Sequence, residues 1–228
     1  MLLFFLACFS PKNPTNNLEP SQVLLDGVVL QAKWDDGDTF SAVHPETQKK
    51  IKARLAGFNS LESYGPVHKW GDWSPKELYD IAKEAGVFAS GKGWVCSDSK
   101  KGGGYGRLLV DCPDLRKAIL EAGFAHPFSI GSSAPQEDLQ AMKKGIESKN
   151  GMWAKGHPSV LITSLHSQDE KPDKDAYNRV CDMSTGQCDA KTHQETYTVC
   201  QEVCIEDSCM IYVPFSQRYR NKASCLSE

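Results

Sequence analysis

The placement of cysteine constrains this chain more than any other feature. Of nine cysteines, six fall at or beyond residue 181 in a chain of 228, at positions Cys181, Cys188, Cys200, Cys204, Cys209 and Cys225. A segment so short and so rich in cysteine has little apolar surface to bury. It is expected to be held by disulfides formed in an oxidising compartment. Cys96 and Cys112 are the other two candidates, and if bonded they would clamp the strand between them. Four tail cysteines (Cys200, Cys204, Cys209 and Cys225) would also suffice for a zinc site. Their spacing lacks the paired Cys-x2-Cys, so disulfides are the expectation. Six cysteines allow 15 pairings, and Cys181 with Cys188 is the most local. The ninth, Cys8, closes the apolar block Met1-Leu-Leu-Phe-Phe-Leu-Ala-Cys8. That block reads as a short export signal with a lipoprotein-type box, which would make Cys8 a lipidated membrane anchor. The alternative is an ordinary cleaved signal. Either way the protein is expected to be exported: secreted, periplasmic or anchored.

Texture divides the remainder. Residues 1–20 combine the export segment with a linker rich in Pro, Asn, Ser and Thr. Residues 21–158 form the main domain, and 159–228 the cysteine-rich extension. Lys+Arg and Asp+Glu nearly balance over 21–158, whereas 159–228 is acidic by four charges. Any steering of a polyanion must therefore come from local placement of charge. No run is long and apolar enough to span a bilayer as a mature helix.

Residues 23–33 are apolar and β-branched and read as one strand, ended by the turn Asp35-Asp-Gly-Asp38. Strands are expected over 39–44 and 49–58, the latter with Ile51, Ala53, Leu55 and Gly57 on one side. Residues 63–73 read as a loop. Ser74-Pro-Lys-Glu77 is a capping box with proline in the first turn, and Leu78, Ile81, Ala82, Ala85 and Phe88 follow at helical spacing. Strands at 94–96 and 108–112 flank a glycine-rich loop, and helices are expected over 113–123 and 135–149. Beyond residue 158 lie a strand at 160–165 and a hairpin turn at 184–186. The class is α+β: strands enough for a small closed barrel, three helices, and a small, mainly β, disulfide-rich extension. The five tryptophans read as packing residues, with Trp70 and Trp73 the best candidates for base stacking. His68 reads as a surface or hydrogen-bonded histidine. The basic-aromatic stretch 215–222 reads as a solvated strand.

Three clusters carry possible chemistry: Asp35-Asp36-Gly37-Asp38-Thr39, then Arg54-Leu-Ala-Gly-Phe-Asn59-Ser60-Leu-Glu62, then Tyr105-Gly106-Arg107. Each alone is commonplace, the first being on its face a solvated hairpin turn. In combination they match the needs of phosphodiester cleavage. Asp38, with oxygens of Asn59 and Ser60, can hold a hard cation, Ca2+ or Mg2+. Glu62 can act as general base toward water. Arg54 and Arg107 offer planar forks suited to phosphate and to charge developing in the transition state.

These clusters resemble the staphylococcal nuclease (thermonuclease) family. The resemblance covers residues 23–156 and includes Asp36-Gly-Asp38-Thr, Arg54 ahead of Glu62, Tyr-Gly-Arg107 and Gly151-Met-Trp153. It implies a five-stranded OB-type barrel with three helices, and Ca2+-assisted hydrolysis of DNA and RNA on the 5′-oxygen side, leaving 3′-phosphates. It also implies roles: Asp38, Asn59 and Ser60 toward the metal, Arg54, Glu62 and Arg107 in catalysis, and Tyr105 beside the substrate. Asn59 stands where the family carries a metal-ligating carboxylate, which removes one negative charge and should weaken metal binding. That departure, with the near-neutral charge, keeps open a second reading: a nuclease-like barrel with weakened catalysis that binds nucleic acid or protein. No particular protein partner is implied.

Overall fold

The computed structural model describes residues 18–218 and 224–226. Cys8, the export segment and residues 219–223, which include the end of the basic-aromatic stretch, lie outside these. The chain is α+β, with three helices and a barrel-like sheet. The first strands are β1 (Gln22–Leu25), β2 (Val28–Gln31), β3 (Lys33–Trp34), β4 (Thr39–Val43) and β5 (Lys50–Leu55). The single strand expected over 23–33 is in fact a hairpin. Asp26 and Gly27 both take positive φ, 47° and 87°, the geometry of a two-residue turn whose twist matches the flanking strands. Asp-Gly between apolar runs was a legible signal for it.

Next come β6 (Phe58–Ser60), β7 (Val67–Lys69), helix α1 (Pro75–Ser90), β8 (Trp94–Gly102) and β9 (Leu108–Asp111). Strand β8 runs well past the expected 94–96. The long strand expected over 49–58 is broken at Gly57, whose φ of +85° turns the chain out of β5 and into β6. A side chain there would also strike the Arg116 guanidinium at 2.8 Å, so Gly57 lies on no strand face. Seven strand segments follow the order β2-β1-β8-β9-β5-β4-β3, with β1 and β8 parallel, as are β5 and β9. The two ends of that order, β2 and β3, are separated in the chain by Ala32 alone, which brings the sheet back nearly onto itself. Val23, Leu30, Phe40, Ala53, Leu55 and Val110 fill its interior.

Helix α1 begins at the Ser74 capping box, with Ser74 and Glu77 bonded reciprocally. Helix α2 (Pro113–Glu121) plugs the barrel with Leu115, Ile119 and Leu120, all fully buried. Strand β10 (Ala125–Pro127) pairs with β6, and α3 (Gln136–Glu147) packs beside α2. Cys96 on β8 is bonded to Cys112 just after β9.

The extension forms a three-stranded meander of β11 (Val160–Ser164), β12 (Ala176–Asp182) and β13 (Cys188–His193), followed by the hairpin β14 (Glu202–Ile205) and β15 (Ser208–Ile211). Its disulfides are Cys181–Cys188, Cys200–Cys225 and Cys204–Cys209. The four tail cysteines considered for zinc are thus consumed in two disulfides. Phe215–Gln217 is a short 3-10 turn, not part of a strand.

Backbone hydrogen bonds join the extension to the barrel domain at two seams. The 63–73 stretch expected as loop contains β7, and β15 pairs with it, Met210 opposite His68. The turn between β12 and β13 docks on residues 127–134. There Ser129 N–H donates to Gly186 O at 3.0 Å, Cys188 N–H to Ser129 O at 2.7 Å and Ala134 N–H to Thr185 O at 2.8 Å. Cys181, Cys188 and Leu161 share a core with Leu61, Trp70, Trp73, Met152 and Trp153. Trp70 and Trp73 are accordingly buried packing residues and no stacking platform for bases. Four disulfides are the signature of an oxidising, exported environment, and among the described residues no helix is long and apolar enough to cross a membrane.

Candidate active site

The Asp35–Asp38 turn is no solvated hairpin tip. Asp36 and Asp38 are buried, at 9% and 3% exposure. Gly37 between them sits against the barrel plug, where a Cβ would meet Ile119 at 2.8 Å and Ala85 at 2.9 Å. The two helices thus hold the turn down, and glycine is needed for that packing. Asp38 N–H donates to Asp36 Oδ1 at 3.1 Å, and Thr39 Oγ1 to Asp38 Oδ1 at 2.9 Å. From β6, Ser60 N–H donates to Asp38 Oδ2 at 3.1 Å. Burial, reinforced by Asp38 and Glu62, raises the Asp36 carboxyl well above the usual carboxylate range.

Arg54 lies opposite Thr39 in the β4–β5 ladder, which sets its side chain beside the turn. Its Nη1 is 3.5 Å from Asp38 Oδ1, and its Nη2 donates to Asn59 Oδ1. The facing Asp38 raises the Arg54 pKa further. Asn59 also donates from Nδ2 to the Ser60 carbonyl oxygen at 2.8 Å. The amide therefore engages one of the Ser60 oxygens that were expected to face a metal.

Glu62 follows on the loop after β6, which Ser63 Oγ holds to the Asp35 carbonyl at 3.4 Å. Among the described residues, no group donates a hydrogen bond to the Glu62 carboxylate. Burial first, then the Asp38 charge, push its pKa up to about 7, while Arg54, Arg218 and Arg107 pull it down. A carboxylate that titrates near neutrality and has open lone pairs is matched to moving a proton at ordinary pH.

Arg107 precedes β9 by one residue. Leu109 is the partner of Arg54 in the parallel β5–β9 register. Alternation puts Arg107 on the same sheet face as Leu109, and hence as Arg54. Its Nε donates to Gly104 O at 3.3 Å, and no carboxylate among the described residues pairs with it. Tyr105 sits at the tip of the same loop with φ of 51° and 82% exposure, its ring centroid 5.8 Å from the Arg107 guanidinium carbon. The fold therefore unites Asp38, Arg54, Asn59 and Ser60 in direct contact and sets Glu62 and Arg107 within electrostatic reach. It leaves Tyr105 apart.

Several residues around the site escaped sequence reasoning. Asp36 was within the quoted motif, but its burial depends on the helices above it. His126, opposite Asn59 on β10, is fully buried, and burial drops its pKa to about 4. His68, expected at the surface or hydrogen-bonded, is neither. It is 1% exposed, both ring nitrogens lack partners, and burial beside His126 lowers its pKa to about 3. Phe128 lies against Arg54, whose guanidinium carbon is 5.5 Å from its ring centroid. Arg218 of the extension crosses Gly65 and pairs with Glu170 at 2.6 Å, close enough for its charge to reach Glu62. No local pattern announces these last contacts.

Asp36, Asp38 and Glu62 bring carboxylate oxygens to one region, and Ser60 Oγ beside them is buried without a partner. Among the described residues, the one group of three or more His, Cys, Asp or Glu side chains close enough together to share an ion is Glu202 with Cys204 and Cys209. Those cysteines are bonded to each other and Glu202 pairs with Lys69 at 2.7 Å, so the set offers no thiolate. Compared with known proteins, the chain matches no family model and no curated sequence.

Proposed function

We propose that this protein is an exported, metal-assisted phosphodiesterase that hydrolyses DNA or RNA, built on the staphylococcal nuclease plan. What supports the OB-type barrel of the resemblance is the nearly closed strand order β2-β1-β8-β9-β5-β4-β3, whose two ends are joined through Ala32. The observation that carries the proposal is the Arg54 junction, where a guanidinium from β5 meets Asp38 from the β3–β4 turn and Asn59 from β6, with Glu62 unbonded beside it.

In this reading Arg54 and Arg107 bind oxygens of the phosphate and take up charge as it develops on phosphorus. Glu62, ionised, accepts a proton from the attacking water. Asp36, Asp38 and Ser60 would hold Ca2+, with Asn59 turning its oxygen to it, and the ion would supply Lewis-acid polarisation of a phosphate oxygen. Asp38 also keeps Arg54 fixed, so its loss would remove orientation as well as charge.

Asn59 favours the second reading. Its amide engages both Arg54 and the Ser60 carbonyl, and it contributes no negative charge. A barrel so tied could bind a polyanion yet cleave it poorly. Digestion of single-stranded DNA with Ca2+, with and without chelator, separates the two. Chelator-sensitive cleavage leaving 3′-phosphates supports the nuclease; binding without cleavage at saturating Ca2+ leaves only the binding module.

A further inference from the structure

Among the described residues Arg179 has no ion pair, in an extension that is acidic overall. Along β12 the pattern alternates: Ala176, Asn178 and Val180 are buried, while Tyr177 and Arg179 share the other, half-buried face. The β12–β13 turn is pinned to residues 127–134 by three backbone hydrogen bonds. Gly186 makes that closeness possible, since a Cβ there would meet Ala134 at 2.7 Å and Pro127 at 2.8 Å. The docking brings β12 against Phe128. The Arg179 guanidinium carbon lies 5.7 Å from the Phe128 centroid and 5.5 Å from that of Tyr177.

Phe128 is also the ring beneath Arg54, at 5.5 Å. One aromatic side chain therefore carries two guanidinium groups, one from the barrel and one from the extension. The two distances bound the separation of their carbons at about 11 Å. Arg54 is neutralised by Asp38. Arg179 has no ion pair among the described residues, and its Nε is sealed from solvent without an acceptor. Arg218, the other described arginine of the extension, is paired with Glu170. A buried donor without an acceptor is costly to leave unmatched. A guanidinium stacked on rings still presents its in-plane N–H groups to an anion, and phosphate fits that fork.

We propose that Arg179 binds a second phosphate of the strand whose scissile phosphate is held by Arg54, so that the cysteine-rich extension forms one wall of the substrate cleft. The substrate class is then a polynucleotide with successive phosphates rather than a lone phosphodiester. The inference rests on the phosphodiesterase reading of the Arg54 site.

The test is anisotropy of a short labelled single-stranded oligonucleotide in chelator, over a salt series, with the full chain and its Arg179→Gln and Arg179→Lys variants. Arg179→Gln should weaken binding about tenfold and lower the slope of log K against log salt by about 0.7, one phosphate contact on a single strand. Arg179→Lys should restore the slope but only part of the affinity, because lysine lacks the fork. In cleavage assays the loss should fall on KM rather than kcat and shrink on a substrate with one phosphodiester. Unchanged affinity and slope in Arg179→Gln, with thermal unfolding and disulfides intact, overturns the inference while leaving the nuclease reading in place. Weakened binding by Arg179→Gln in a protein that never cleaves supports the contact and sinks the nuclease. A wild type that neither binds nor cleaves removes both.

Discussion

Two buried polar clusters in this molecule are built in opposite ways. Around Arg54, the Asp38 carboxylate receives Thr39, Ser60 and Arg54, and Asn59 both accepts and donates. At the seam between barrel and extension, His68 has neither ring nitrogen matched, and His126 Nε2, Trp70 Nε1 and Trp153 Nε1 are also without partners. Burial alone does not decide what happens to a charge. Arg54 faces a carboxylate and is held more firmly protonated; His68 is driven neutral by burial first and by the neighbouring His126 second. The first arrangement keeps charge available for a ligand. The second gives up charge to let two layers close.

The largest effect should come from breaking the paired cluster. Arg54→Ala removes the group bound to Asp38 and Asn59 and should cut turnover a hundred- to a thousandfold, about 3–4 kcal/mol of barrier. Steady-state cleavage of single-stranded DNA at saturating Ca2+ checks it. Loss of less than tenfold in a folded variant would take Arg54 out of the chemistry.

Next comes the seam. Gly186→Ala forces a Cβ onto Ala134 and Pro127 at a φ of +65°. It should destabilise the protein by about 2 kcal/mol, read as a lower urea midpoint. Because the extension shares a core with the barrel, one cooperative transition is expected. Two separated transitions would mean that the regions unfold independently.

His68→Phe sharpens the contrast with a smaller change of opposite sign. Replacing an unmatched imidazole by an apolar ring of similar size should stabilise the protein at pH 7 by about 1 kcal/mol. The acid response should change too. A histidine near 6.5 when unfolded and about 3 when folded adds stability that is complete above pH 6.5 and lost as pH falls toward 3. The variant should therefore lose less stability between pH 6.5 and 4. Parallel curves for both proteins would show that His68 has a partner, or charges readily in the fold.

The smallest effect should come from Asn59→Asp. Aspartate keeps the acceptor for Arg54 but sets a carboxylate oxygen against the Ser60 carbonyl, which now receives the Asn59 amide at 2.8 Å. The variant should be slightly less stable in chelator and need several-fold less Ca2+ for half-maximal activity. A Ca2+ titration of cleavage decides it. An unchanged requirement would place Asn59 away from the metal.

What the sequence determined was local. The capping box before α1, the Cys-dense extension, the Asp-Gly-Asp turn and the arginines of β5 and the β8–β9 loop are all written in short patterns. Hydrogen-bond geometry and side-chain alternation act over only a few residues, so such patterns carry. Even there, the Asp26-Gly27 hairpin and the break at Gly57 show that one glycine changes an element's fate.

The tertiary structure decided everything that depends on which distant surfaces meet. It paired six tail cysteines among 15 possibilities, laid β15 on β7, buried His68, and turned Asn59 toward Arg54. It also set Arg179 on the ring that carries Arg54, although β12 and β5 lie far apart in sequence. Neither arginine sits in a pattern that names the other. Their meeting follows from the register of β12 and from the clearance at Gly186. Both belong to the packed molecule, because long-range pairing is chosen by the sum of many contacts and by no single stretch of chain.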